Sequence, residues 1–228
     1  MNNFLMSISI VDEQGLEIVN PTVVNSMLVV LVLSIILIIG SKKIKAADPS
    51  KPSTGFVLLL EILVTSINDL VVSTMGNAKY ITYAPYIGML TIYLVCANLL
   101  GLIGLTPPTS DYNVTLALAM MTIVVMVGSG VKSKGVGRYL YDTYLGDFPF
   151  LLPLNITGEL AKPISLSARL FGNILSGGII MSLIYTGLQW FSPFIAPFLH
   201  GYFDIFAGAI QTLIFIMLTM IWTQGAVE

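Results

Sequence analysis

Only 10% of the 228 residues are Asp, Glu, Lys or Arg, against about 25% in an ordinary soluble domain. The single cysteine, Cys96, excludes an internal disulfide and a thiolate metal cage, and the single histidine, His200, excludes a His cluster. Ten basic and twelve acidic side chains leave a formal charge of -2, so there is no basic excess to grip phosphate backbones and nucleic acid is not a partner. No HExxH, P-loop, GxSxG or CxxC pattern occurs, so hydrolytic and nucleotide chemistry have no motif and no cofactor or metal is expected. What is abundant is apolar: 56% of residues are hydrophobic and the mean hydropathy is +0.90. The chain reads as an all-α integral membrane protein, and the question becomes what its few charges do.

The first twenty-one residues carry Asp12, Glu13 and Glu17 but no Lys or Arg, which reads as an external tail without the basic flank of a secretory signal. Thr22 to Gly40 is uncharged and matches the ~20 residues of a bilayer-spanning helix. Lys42, Lys43, Lys45 and Lys51 follow at once and mark the cytoplasmic side. Beyond Pro49 and Pro52, polar Glu61, Thr65, Asn68, Asp69 and Ser73 recur opposite Phe56, Leu59, Leu63, Ile67 and Leu70. That pattern predicts an amphipathic helix lying along the cytoplasmic interface. Residues 80–138 then read as a transmembrane hairpin, with runs Tyr80 to Leu105 and Asn113 to Val131 joined at Pro107-Pro108 and a basic flank of Lys132, Lys134 and Arg138.

No charged residue occurs from Leu170 to Phe203, a run too long for one crossing. A break at Ser192, Pro193 and Pro197 predicts two helices, Leu154 to Trp190 and Phe198 to Gln224, of about 55 and 40 Å against a hydrocarbon core of roughly 30 Å. Both must tilt steeply. The expected architecture is therefore about five membrane helices plus an interfacial amphipathic helix, ending in a long tilted hairpin over residues 139–228.

Arg169 stands far inside the first of these helices. A central arginine costs roughly 2.5–3.5 kcal/mol on insertion scales and must be compensated. Ser165, Gly172, Asn173, Ser176, Gly177 and Gly178 surround it at helical spacings, a thin polar stripe that suits close approach of another helix. The structural alternative is snorkelling, or pairing with Glu159 or Asp204. Guanidinium keeps its proton in proteins, so Arg169 acts as a fixed cation. Such a cation favours the ionised form of any carboxylate brought near it and so strips an ion from it.

On the returning helix Asp204, Gly208 and Gln211 share a face. Asp204 is either an ion-access carboxylate or an interfacial residue, and Gln211 should hydrogen-bond Asn173 or Arg169. His200 reads as an interfacial side chain. Glu159 and Lys162 form a local helix pair or line an aqueous entrance. Asp111, Asn113 and Thr115 follow a turn, where N-capping accounts for at least one of them.

The stretch Glu159 to Asn173, with its Lys-Pro-Ile-Ser-Leu-Ser-Ala-Arg-Leu-Phe-Gly-Asn core, resembles the signature of subunit a of the F-type ATP synthase membrane sector. Pro107-Pro108-Thr-Ser-Asp111-Tyr-Asn113-Val-Thr115 and the Gln211 region are similar to further elements of that family, and the likeness runs from Tyr80 to Gln224. The resemblance implies an ion-translocating stator, not catalytic alone, in a bacterial cell membrane with its N terminus outside and C terminus cytoplasmic. It implies as partners a ring of c subunits with mid-membrane carboxylates, peripheral stalk b subunits and surrounding lipid. Arg169 would separate two aqueous half-channels, with Asn173, Gln211, Asp204 and Glu159 along the ion path and the coupling ion H+ or Na+. Some members carry Glu or His where this chain has Gly177 and Gly178, which leaves Asp204 as its access carboxylate. The competing readings are a stand-alone transporter or channel holding an anion on Arg169, and a purely structural membrane scaffold.

Overall fold

The structure is a computed structural model that describes residues 10–11, 17–19, 21–46, 55–76, 78–145 and 149–228. Asp12, Glu13, Pro49, Lys51 and Pro52 lie outside the described residues. A small antiparallel pairing of β1 (Ile10–Val11) with β2 (Glu17–Val19) precedes the helices, and nearly all the described residues after it are helical or turn. Among the described residues, five helical stretches are long and apolar enough to cross a membrane.

Helix α1 (Pro21–Ala46) enters beside the Pro107-Pro108 turn. The Thr22 hydroxyl donates to the Asp111 carboxylate at 3.0 Å and the Asn25 amide to the Thr106 carbonyl at 2.9 Å. Ser26 and Tyr93 share a 2.8 Å hydrogen bond one turn further in. α1 therefore runs from a turn end of the bundle to a lysine end, where Lys43 and Lys45 offset the C-terminal dipole. Helix α4 (Tyr112–Lys134) starts at the turn end, with Asp111 as N-cap accepting from the Asn113 N–H at 2.8 Å, and finishes in Lys132 and Lys134. The two basic flanks thus share one end of the molecule.

Helix α2 (Phe56–Met75) meets the length and composition of a crossing helix, yet both its ends lie at the lysine end. Its first turn touches α1 there, with Lys43 over the Phe56 ring and Leu60 against Gly40. The segment that follows it brings Tyr80 to Glu228, hydroxyl to carboxylate 3.3 Å. At the same end the Ser133 hydroxyl donates to the Val227 carbonyl. α2 lies across the bundle on Ile67, Val71 and Met75, with Ile67 packed on Gly88 of the next helix. Of the apolar face its pattern predicts, Ile67 is buried, while Phe56, Leu59 and Leu63 are exposed.

Helix α3 (Ala84–Leu99), extended by tighter turns at Ala78–Tyr83 and Leu100–Ile103, returns to the turn end. A short α5 (Val136–Leu140) follows α4. The hairpin comprises α6 (Leu152–Leu188), α7 (Ser192–His200), a wide π-helical stretch Gly201–Ala207, and α8 (Gly208–Val227). Its break falls at Gln189–Phe191, where Gln189 takes a positive φ of 38°, and not at the prolines. Pro193 occupies the first turn of α7, where no backbone N–H is needed. Pro197 lies inside α7, which continues past it and widens into the π stretch. The core gathers Val71, Tyr80, Leu94, Leu166, Leu170, Phe215 and Met220 from α2, α3, α6 and α8. Between apolar helices in lipid, close packing holds such a bundle together, and small residues at the contacts make it possible.

Gly130 is one of those contacts: a Cβ there would sit 2.3 Å from the Tyr139 ring and 2.9 Å from the Ala226 carbonyl. Gly130→Ala is expected to destabilise the fold by roughly 1–3 kcal/mol through overpacking, read as a lower thermal midpoint in detergent. Gly128→Ala, with open space at its Cβ, should leave that midpoint close to wild type.

Candidate functional site

α6 presents two faces. Leu166, Ser167, Leu170 and Met181 are buried in the bundle, while Ser165, Arg169 and Ser176 are exposed, with Gly172 and Asn173 half-buried beside them. Arg169 therefore points out of the chain on an otherwise apolar side that includes Leu160, Ile164 and Leu175. Among the described residues no carboxylate lies within ion-pairing distance of it. Glu159 is paired with Lys162, and Asp204 with His200 at 2.6 Å. Both acidic partners that intramolecular pairing required are thus occupied elsewhere.

Two cavities flank Arg169 along α6, a mostly apolar one toward the turn end and a polar one toward the lysine end. The one toward the turn end, about 320 Å³, is walled mostly by apolar groups, Ile174, Leu175, Ile179, Met181 and Phe203 among them, with Ser110, Asn173, Ser182, His200 and Asp204 as its polar lining. Asp204 reaches it because Gly101 opposite has no side chain: a Cβ there would lie 3.3 Å from the carboxylate. His200 Nδ1 bonds Asp204 and its Nε2 meets the Tyr185 hydroxyl at 3.0 Å. His200 is therefore hydrogen-bonded into the cavity wall. The signal was its i, i+4 spacing from Asp204.

The cavity toward the lysine end, also about 320 Å³, is lined by Lys134, Tyr139, Asp142, Glu159, Lys162 and Trp222, among others. Lys134 pairs with Asp142 at 3.4 Å, and Lys162 lies over the Trp222 ring. Burial, only partly offset by a hydrogen bond from Thr143 and reinforced by the Glu159 charge, pushes the Tyr139 hydroxyl above its ordinary value. It stays protonated.

The remaining residues of the predicted site are distributed differently. Gly177 is buried against Phe203, and Gly208 against Asn98 of α3, so both serve contacts within the chain and neither joins the exposed stripe. Gln211 is 6% exposed and its Nε2 has no hydrogen-bond partner. The expected bond to Asn173 or Arg169 is absent. Arg169 projects outward from α6 while Gln211 is turned into the bundle, and the two cannot meet. Asn98, which spacing in an apolar run does not single out, is a buried hub: its amide donates to the Gly208 carbonyl and the Thr212 hydroxyl at 3.2 and 3.3 Å, and it accepts from Thr109 at 3.2 Å.

Fold and site together define a polytopic membrane protein with an outward cation, unpaired among the described residues, between two cavities that lie toward opposite ends of α6. Residues 23–224 match the family described as the ATP synthase A chain. The chain is 32% identical to ATP synthase subunit a of Nitrosospira multiformis over 94% of its own length and 82% of the relative's. It is 31% identical to the sodium ion specific ATP synthase subunit a of Propionigenium modestum over 92% and 74%, and 32% identical to ATP synthase subunit a of Mycoplasma pneumoniae over 84% and 73%. The chain belongs to the ATP synthase subunit a family, a membrane component of that complex without catalytic chemistry of its own.

Replacing the hub amide, Asn98→Leu, leaves the buried Thr109 hydroxyl without its acceptor and is expected to cost about 1–3 kcal/mol. Reduced recovery of intact subunit after heating in detergent, with Thr109→Ser near wild type, checks this.

Proposed function

We propose that this subunit is the stator of an ion-driven rotary motor, and that Arg169 is the fixed charge past which the mid-membrane carboxylates of a ring of c subunits travel. The observation that carries the reading is the outward exposure of Arg169 with both nearby acids already paired within the chain. A guanidinium in hydrocarbon needs a counter-charge, and this one faces the side on which a neighbouring subunit would supply it. Being permanently protonated, it conducts no proton itself. Its field favours the ionised form of a carboxylate brought beside it, so an arriving carboxylate releases its ion there.

The two cavities serve as half-channels on this reading. Ions enter the turn-end cavity past Asp204 and Asn173 and leave through the lysine-end cavity past Glu159. Arg169 separates them. Gln211, buried with a free amide donor, is held in reserve for a polar group that enters the site, and Ser165, Gly172 and Ser176 keep the facing surface thin enough for a ring helix to approach. Residues 1–21 and the turn end face outside a bacterial inner membrane. Residues 22–79 supply the first crossing and the interfacial helix, 80–138 a transmembrane hairpin, and 139–228 the translocation site, with the C terminus cytoplasmic. Peripheral stalk b subunits and lipid cover the remaining apolar surface, and the coupling ion is H+ or Na+.

A stand-alone transporter with an anion on Arg169 has no support in the geometry. Arg169 lines neither flanking cavity, nor the larger groove of about 710 Å³ between α1, α3 and α4.

Arg169→Ala in the assembled complex is expected to abolish gradient-driven ATP synthesis. Arg169→Lys, which keeps the charge but loses the planar fork, should fall well below wild type. Full synthesis in Arg169→Ala would contradict the reading.

A further inference from the structure

The long hairpin reverses on an open surface. Leu188, Gln189, Trp190 and Phe191 are all exposed, and a helix end leaves backbone groups without partners inside the helix. Irregular backbone facing lipid does not occur within the hydrocarbon, where no water can satisfy it. The tip therefore lies at a membrane surface. That surface is the one on the turn-end side: Asn173 to Ser182 of α6 already line a cavity with Pro107 and Ser110, and Trp190 stands about 12 Å further along the chain's course.

The exposed rings divide the same way. Among the described residues, the large apolar side chains exposed along the middles of α1, α3, α4 and α6 are aliphatic or methionine, such as Leu31, Ile35, Met89, Val124, Ile164 and Leu175. Exposed aromatics stand toward the ends. Phe56, Tyr141 and Phe150 are at the lysine end, and Tyr112, Tyr202 and Phe206 belong to elements at the turn end. The densest group is the tip itself, where Trp190 is 90% exposed and Phe191, Phe194 and Phe198 are 68 to 81% exposed. α7 buries Ser192 and Ala196, which leaves its rings on the outer side.

We infer that Trp190, Phe191, Phe194 and Phe198 form a lipid-binding surface for the boundary between headgroups and acyl chains in the turn-end leaflet, and that this surface fixes the tilt of α6. Indole suits that boundary, because its ring is apolar and its N–H needs a polar neighbour. Charge cannot hold the hairpin there: no charged residue occurs from Leu170 to Phe203, whereas Lys134, Arg138 and Lys162 stand at the lysine end. α6 has 37 residues and is about 55 Å long. With its ends on opposite surfaces of a core roughly 30 Å thick, it inclines by roughly 55° from the normal, beyond the usual range of about 0–40°. Interfacial anchors are one of the forces that set such a tilt. Arg169 stands seventeen residues from Leu152 and nineteen from Leu188, so anchoring both ends puts it at the bilayer centre. The anchoring does not depend on the stator reading.

The test places the assembled complex in phosphatidylcholine vesicles whose acyl chains carry bromine either close to the headgroup or near the bilayer centre. Tryptophan emission lost on changing Trp190→Phe isolates the signal of Trp190. The shallow bromine is expected to quench that signal more strongly than the deep one. Phe194→Leu together with Phe198→Leu keeps the surface apolar but removes two rings, and should move the strongest quenching toward the deep label. Phe198→Leu alone should shift it the same way by less, and serves if the double variant does not assemble. Stronger quenching of wild-type Trp190 by the deep bromine would put the tip in the hydrocarbon and overturn the inference. Emission that neither label quenches would show a protein partner covering the tip, and would overturn it as well. An unchanged depth profile in the assembled leucine variants would overturn the anchoring role of the rings.

Discussion

A guanidinium in the middle of a long apolar helix keeps its charge, so whatever surrounds it must answer that charge. In this chain the answer is not intramolecular. The two acids that sequence spacing offers are each engaged by a base one turn away, Glu159 by Lys162 and Asp204 by His200. The remaining architecture follows from keeping that cation exposed on one face of α6 while the opposite face carries the packing.

That division explains the polar residues on either side. Toward the lysine end the charges are mutually compensated around a small cavity, Lys134 with Asp142 and Glu159 with Lys162. Toward the turn end a carboxylate, an imidazole and a phenol share two hydrogen bonds. Neither set touches Arg169. Under the proposed function this separation is the requirement: two aqueous approaches with a permanent positive charge between them and no chain of titrating groups joining the two. The buried Asn98 hub ties α3 to the start of α8, which fixes the height of the π stretch and hence of Asp204 opposite Gly101.

Much of this was legible in the sequence because membrane helices obey few rules. Apolar run lengths and basic flanks located α1, α3 and α4, and the amphipathic pattern from Glu61 to Ser73 placed α2 on one side of the bundle. The 3.6-residue period put Ser165, Arg169 and Ser176 on one face. The hairpin break was misplaced because proline was read as a breaker where Pro193 fits the first turn of a helix. The partners of Gln211 could not be read at all, since spacing gives a side chain's face on its own helix but not the rotation of that helix against its neighbours. The i, i+4 separation of His200 and Asp204 already makes them a pair in the sequence, whereas Asn98 is one amide in an apolar run and its partners come from other helices.

The central claim is that the Arg169 face of α6 is the one a ring of small carboxylate-bearing subunits passes. Cysteine cross-linking tests it directly, on a Cys96→Ser background that removes the only native thiol. Cysteines introduced at the exposed positions Ser165 and Ser176 are expected to cross-link to a cysteine placed one turn from the ring carboxylate, whereas one at buried Ser167 is not. Cross-links from position 167 but neither 165 nor 176, in an assembled complex, would contradict the account.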